Sequence, residues 1–491
     1  MELSVVLLFL AGCSLSWAKP ILVQGLHKNL NSHVSEKDNR TMLEIMTAAN
    51  KDITHSLVKG DIKTKHRRSA KLCPTCMWPK SSDGKVRIPY VIAPEYSDYE
   101  VSYFNLTMKE FETTTCLEFV KRTNEEDYFS LESGNGCWSY LGKVGGKQTI
   151  SVAMPSCIKY SLIQHEFMHM LGFYHEVTRN DRDQYINIYW QNIDQKNHGL
   201  FDLDNGDTFN LPYDYNSVMH YSSSDYSIVP GQPSVLAKSD PKMSIGQQIG
   251  MTNIDVMKVN IAYNCNLCRK KFLESGTFTF TSANQEASSC LYLIQSSAKV
   301  LLQLSDVNIP SSPDCKDTYI KVYDGVSKSS PVFLDKTCGK VSLPPLVSSE
   351  DHLLIEIVNN KPSAEITFKA SYNSARFGKT HVTDNGAVMS PLFPGIYPRN
   401  VDAFYSIIAP KGYKVSLNID FFWMTSSSDC TEEYLIIRES MTSPILATYC
   451  GYLYPIPPMV SSGNTLILQF HSSPSPYRNG FHAFYNFVPS S

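Results

Sequence analysis

Residues His165–His175 read HEFMHMLGFYH, and three imidazoles set around one glycine constrain this 491-residue chain more than any other feature. His165 and His169, four apart, predict a helix that carries both on one face, where they grip a single metal ion. Glu166 stands beside them on that helix, in reach of a water polarised by the metal, and is read as the general base. Gly172 suits the positive φ that ends a helix and turns the chain, so that His175 enters as a third ligand from outside it. Three neutral nitrogen donors leave zinc a strong Lewis acid with open positions, which is a hydrolytic site. A structural zinc usually takes four protein ligands, often cysteines, and has no neighbouring base.

The run continues through Glu176, Arg179, Asp181, Arg182 and Asp183, and as HEFMHMLGFYHEVTRNDRD it resembles the signature of the astacin family of metzincin-type zinc metalloendopeptidases. Ser217–Tyr221, SVMHY, looks like that family's Met-turn. The resemblance implies one Zn2+ per chain on His165, His169 and His175, with Met219 beneath it. It also implies that Tyr221 is an additional, displaceable ligand that goes on to stabilise the oxyanion, and that Glu176 anchors the mature amino terminus. It spans essentially all of residues 69–267, including Arg87–Ser97 (RIPYVIAPEYS), which alternates like a strand. There it implies an α+β protease domain with the bridges Cys116–Cys265 and Cys137–Cys157.

Residues 1–18 have an apolar centre and the small residues Ser16 and Ala18 before a plausible cut, and read as a signal peptide of a secreted protein. Its loss removes Cys13, one of 13 cysteines, and leaves an even number suited to disulfides in an oxidising compartment. No segment is long and apolar enough to span a membrane. The balance of 44 basic and 47 acidic residues gives no electrostatic case for nucleic acid. Asn39 and Asn105 each open an N-x-T sequon. Residues 19–68 are polar and end in the basic stop KHRR, which reads as a propeptide cleaved after Arg68 by an activating protease, or as a disordered arm. Gly60-Asp61 resembles the motif by which astacins block their own zinc, with Asp61 as ligand in the zymogen. Leu57, Val58 and Lys59 precede it where many relatives carry an aromatic and an acidic residue. Cys73 and Cys76 leave open a redox pair, half a zinc ribbon or a local bridge. The absence of a second CxxC and of a thioredoxin-like context favours the local bridge.

From Cys268 the pattern turns to short apolar runs between Gly, Pro, Ser and Asn turns, which is all-β sequence. Residues 268–374 and 377–488 resemble two CUB domains: Asp324-Gly325 and Cys338-Gly339 mark the first, and SPLFPGIYP (390–398) with Cys450-Gly451 the second. The resemblance implies the bridges Cys268–Cys290, Cys315–Cys338 and Cys430–Cys450; the second copy lacks the first cysteine pair. Calcium ligands are not clearly present, since Asp317 lies one place early, Thr318 takes the expected site, and the second copy offers Glu433.

The expectation is therefore a multidomain secreted zymogen: a zinc endopeptidase domain followed by two CUB sandwiches that engage large extracellular protein substrates. The domain order resembles that of the hatching-enzyme branch of the family, which implies egg-envelope glycoproteins as substrates. Tolloid-like processing of matrix or growth-factor proteins is the alternative, weakened because no six-cysteine EGF-like module lies between the CUB domains. A catalytically dead secreted binding protein is the reading from another class, and the presence of every expected ligand and the base argues against it.

Overall fold

The computed structural model describes residues 40–64, 76–204, 206–283, 287–361 and 363–490. The leader, Asn39, the cleavage position after Arg68 and Cys73, half of the expected Cys73–Cys76 bridge, lie outside the described residues.

Residues 40–64 of the expected propeptide are folded, not a disordered arm. Helix α1 (Met42–Ala49) starts at a capping box, with the Thr41 hydroxyl accepting the Glu44 N–H at 3.0 Å and the Glu44 carboxylate accepting the Thr41 N–H at 2.7 Å. Its apolar face, Met42, Leu43, Ile45 and Met46, is buried in the core of the protease domain. A hairpin of β1 (Leu57–Val58) and β2 (Ile62–Lys63) follows.

The protease domain contributes β3 (Val86–Ile92), α2 (Asp98–Thr114), β4 (Leu117–Lys121), β5 (Tyr128–Glu132), β6 (Cys137–Tyr140), β7 (Lys147–Val152), α3 (Tyr160–Met170), β8 (Ile186–Ile188), β9 (Val235–Ala237) and α4 (Asn253–Ala262). Its main sheet runs β1-β2-β6-β7-β5-β3-β4, so the β1–β2 hairpin extends the sheet at the β6 edge, with β2 parallel to β6. Every residue of α3 from Ser161 to Met170 is buried, as befits a helix that is apolar on all sides apart from its chemistry. Phe167 holds it to α2 and the sheet, with ring centroids 6.0 Å from Phe111 of α2, and 5.7 Å from Phe119 and 5.5 Å from Phe129 of the sheet. Cys116–Cys265 ties the start of β4 to the chain beyond α4, and Cys137–Cys157 closes the loop leading to α3.

The first CUB domain is a sandwich of β10 (Cys268–Leu273), β11 (Gly276–Thr281), β12 (Ser289–Gln295), β13 (Lys299–Ile309), β14 (Thr318–Tyr323), β15 (Val332–Thr337), β16 (Gly339–Lys340), β17 (Leu346–Val347), β18 (His352–Asn359) and β19 (Thr367–Ala375). One sheet runs β10-β12-β18-β14-β15 and the other β11-β19-β13-β16, with β17 on β13. Cys268 and Cys290 face each other across the parallel β10–β12 pair and are bridged; Cys315–Cys338 is the second bridge. The second CUB domain repeats the plan. Lys379–His381 pairs parallel with Asp402–Ile408 at the same sheet edge, held by hydrogen bonds where the first copy adds a disulfide. Cys430–Cys450 is its bridge.

Removing the ring that joins helix to sheet leaves a cavity the closed core cannot refill. Phe167→Ala is therefore expected to lower stability by about 3–5 kcal/mol, read as a shift in the urea midpoint of the protease domain.

Candidate metal centre

Helix α3 ends in a pair of bonds that only a left-handed residue permits: Gly172 N–H to His169 O at 2.8 Å and Phe173 N–H to Met168 O at 3.0 Å, with Gly172 at φ +102°. The reversal brings His175 back against the helix. The ligand atoms of His165, His169, His175 and Asp61 then all lie within 4.8 Å of one another, all four residues buried, the one such set among the described residues.

The outer nitrogens decide what the inner ones can do. His165 Nδ1 faces Val218 O at 2.8 Å and His169 Nδ1 faces Phe173 O at 2.8 Å; a carbonyl only accepts, so both Nδ1 atoms carry the proton. His175 Nδ1 lies 3.2 Å from the Tyr221 hydroxyl, which donates to Lys59 O at 3.4 Å and is thus free to accept from the ring. In the neutral rings all three Nε2 lone pairs converge. His165 and His175 Nε2 are 3.2 Å apart, Asp61 Oδ2 is 3.1 and 3.0 Å from them, and Asp61 Oδ1 is 3.4 Å from His169 Nε2. Lone pairs and a carboxylate packed this closely repel unless a cation sits among them. Ligands roughly 2.0–2.1 Å from a tetrahedral zinc are separated by such distances.

Electrostatics agree. Burial lowers His169, and lowers His175 to about 4, which keeps both imidazoles neutral as ligands. Burial opposes ionisation of Asp61, but positive charge on the side of His175 and His169 outweighs it and holds the carboxyl well below its usual range; with the rings neutral, a bound cation would supply that charge. Burial and then the charge of Asp61 push Glu166 well above the carboxylate range. Both Glu166 oxygens, Asp61 Oδ1 and His169 Nε2 are buried without a hydrogen-bond partner. Orphaned polar atoms around one point are what a metal centre with room for a reacting water requires. The residues present fit zinc.

Asp61 is delivered by strained backbone. Lys59 (φ +56°) and Gly60 (φ +96°) both adopt left-handed conformations, and a Cβ on Gly60 would stand 2.7 Å from the Tyr226 hydroxyl. Asn50 bonds Gly60 O and both backbone groups of Cys137, and the Asp61 carbonyl accepts the Ser139 N–H at 3.1 Å. The Lys59 ammonium bonds the carbonyls of Gly199 and Asp202. The sequence marks Lys59 only as a departure from relatives, and Asn50 gives no signal at all.

Met219 is buried, and its carbonyl accepts the Glu176 N–H at 2.8 Å. With Asp61 in place the Tyr221 hydroxyl is directed to His175 Nδ1 and Lys59 O. Glu176 already has cations, Arg179 Nη1 at 3.0 Å and the Lys258 ammonium, beside a cavity of about 80 Å³ lined also by Met77 and Gly172. Lys258 was missed in sequence because its partner lies 82 residues away. Asn105 is exposed on α2. Neither candidate calcium acid stands in such a cluster. Asp317 pairs with Lys361 at 2.8 Å, and the buried Glu433 accepts bonds from Tyr397, Thr425 and Ser473.

Residues 74–264 match the model of the astacin peptidase family, and 268–372 and 378–485 match that of the CUB domain. The chain is 35% identical to embryonic protein UVS.2 of Xenopus laevis over 476 residues, 96% of this chain and 92% of that one. It is 39% identical over 358 residues to an astacin-like metalloendopeptidase of Coturnix japonica, covering 72% and 87%. High choriolytic enzyme 1 of Oryzias latipes is 38% identical over 264 residues, covering 53% and 98%.

Loss of one nitrogen donor weakens a three-imidazole site severely. His169→Ala is expected to purify with little zinc where the parent carries about one equivalent, as measured by mass-spectrometric metal analysis.

Proposed function

The chain belongs to the astacin family of zinc metalloendopeptidases, with two CUB domains behind its protease domain, and from that premise we propose a secreted zymogen that hydrolyses extracellular glycoproteins, egg-envelope proteins foremost. The observation that carries the zymogen reading is the Asp61 carboxylate against the three Nε2 atoms, where the reacting water has to stand. When bound, zinc supplies a Lewis acid that polarises the scissile carbonyl and makes water acidic.

The chain's own residues do the rest. Cleavage after Arg68 releases the prosegment and takes away the Asp61 charge that adds to burial in raising Glu166. Glu166 accepts a proton from the attacking water at its carboxylate and returns it to the leaving amine. The Tyr221 hydroxyl loses its acceptor, Lys59 O, when the prosegment leaves, and becomes a donor for the developing oxyanion. The edge of β6, covered here by β2, is left with free backbone groups for an extended substrate strand.

The envelope reading is supported by the likeness to a choriolytic enzyme. The tolloid-like reading is disfavoured because only residues 373–377 separate the two CUB matches, too few for another module.

Three outcomes are expected. Activated Glu166→Ala retains zinc and loses about 10²–10⁴-fold in kcat/KM on a quenched peptide. Uncleaved Asp61→Ala gains partial activity on that peptide, since β2 still covers the β6 edge, while the uncleaved parent stays latent. The activated protein solubilises isolated egg envelopes in a chelator-sensitive, zinc-restored manner; selective cleavage of matrix proteins with envelopes left intact would refute the envelope substrate.

A further inference from the structure

Glu110 projects from α2 into the boundary between the protease and the first CUB domain, and its carboxylate is fully buried. Its Oε1 accepts from the Lys271 ammonium of β10, and Oε2 accepts from the Tyr160 hydroxyl and from His352 Nε2 of β18 at 3.3 Å. His352 Nδ1 in turn donates to Asp351 at 2.7 Å. Lys271 has no exposed side-chain surface, a state that lysine reaches almost only when paired. The cluster is balanced: one anion comes from the protease domain, and two cations and one anion come from the CUB domain. Burial opposes the charge on His352, but Asp351 and Glu110 outweigh it and raise the imidazole to about 9, so both ring nitrogens donate. An apolar contact flanks the charges. Leu106 of α2 covers Leu291, Leu293, Tyr323, Val326 and Leu354 on the outer face of the CUB sheet.

Both ends of this junction reach the metal-binding helix. Tyr160 is the first residue of α3. Gln164, the neighbour of ligand His165, accepts the Met251 N–H at 2.8 Å, and Gln295 of β12 donates to Ile249 O at 3.1 Å from the other side of the same turn. The two glutamines close on Gly250 so tightly that a Cβ there would stand 2.6 Å from Gln164 Oε1 and 2.9 Å from Gln295 Oε1. The Lys271 N–H also donates to Asn253 Oδ1 on α4 at 3.0 Å.

We propose that the first CUB domain is a working part of the catalytic unit, a clamp that sets the position of the metal helix through two routes, Lys271 and His352 on Glu110 and Tyr160, and Gln295 on the 249–251 turn and Gln164. Glu110, Lys271 and Gln295 are positioning residues: none touches substrate, and each acts through α3. A tethered exosite changes the capture of large substrates and leaves the chemistry on a short peptide alone. A clamp on α3 changes the rate of the chemical step whatever the substrate's size, because small displacements of catalytic groups are felt directly in kcat.

The inference rests on the peptidase activity of the chain, and parental turnover of the peptide reports on that separately. The test uses activated, zinc-loaded full-length protein and a quenched peptide too short to reach a CUB domain. Lys271→Met is expected to lower kcat about tenfold with KM and zinc content unchanged, Gln295→Ala to lower it several-fold, and Lys271→Arg to restore it. Lys321→Met, which removes a pair to Asp335 within the same CUB domain, leaves kcat at the parental value. Parental kcat in both Lys271→Met and Gln295→Ala overturns the clamp, as does an equal loss in Lys321→Met. Should Lys271→Met not fold, Gln295→Ala, which deletes a single hydrogen bond, decides the matter.

Discussion

A buried carboxylate facing three imidazole nitrogens, each with its lone pair turned inward, is the arrangement to which the surrounding protease fold is fitted. The Asp61 oxygens lie 3.0–3.4 Å from the Nε2 atoms of His165, His169 and His175. Taken alone, such a set is repulsive and heavily desolvated, so a dication has to compensate it. The outer hydrogen bonds to Val218 O and Phe173 O lock the His165 and His169 rings in one tautomer and one orientation, and Tyr221 orients His175 while Lys59 O holds its hydroxyl. The Gly172 reversal, the Phe167 packing and the Cys137–Cys157 bridge all serve to hold those few atoms in place.

In the proposed zymogen the same position serves latency and catalysis. An intramolecular carboxylate on a short folded segment has a high effective concentration, so a single ligand suffices to exclude water as long as the segment remains attached. Its hold does not depend on Asp61 alone: α1 is sunk in the core, β2 extends the sheet at β6, and Lys59 bonds the Gly199 carbonyl. The contacts are spread over a chain that a single cut disconnects, which makes release by proteolysis physically simple.

The metal site was largely legible in sequence because its determinants are local. Histidines four apart on a helix, an adjacent acid and a glycine that ends the helix need no knowledge of the rest of the chain. The alternating run at Arg87–Ser97 likewise foretold β3, whose Val86, Ile88 and Tyr90 point inward while Arg87 is exposed. The bridge pairings came from resemblance, since spacing alone leaves connectivity open. Met42, Leu43, Ile45 and Met46 share one face of α1, and only the protease core makes burying them worthwhile.

What the sequence by itself determined is the chemistry at the metal, the all-β character beyond Cys268 and the repetition of the CUB unit, each written in residues a few positions apart. What the tertiary structure alone decided is which distant charges meet. Glu110 finds Lys271 across 161 residues, Glu176 finds Lys258 across 82, and Asp61 finds His175 across 114. The physical reason is that burial of a charge is tolerated only opposite its partner, and the identity of that partner is a property of packed surfaces, which no local pattern encodes.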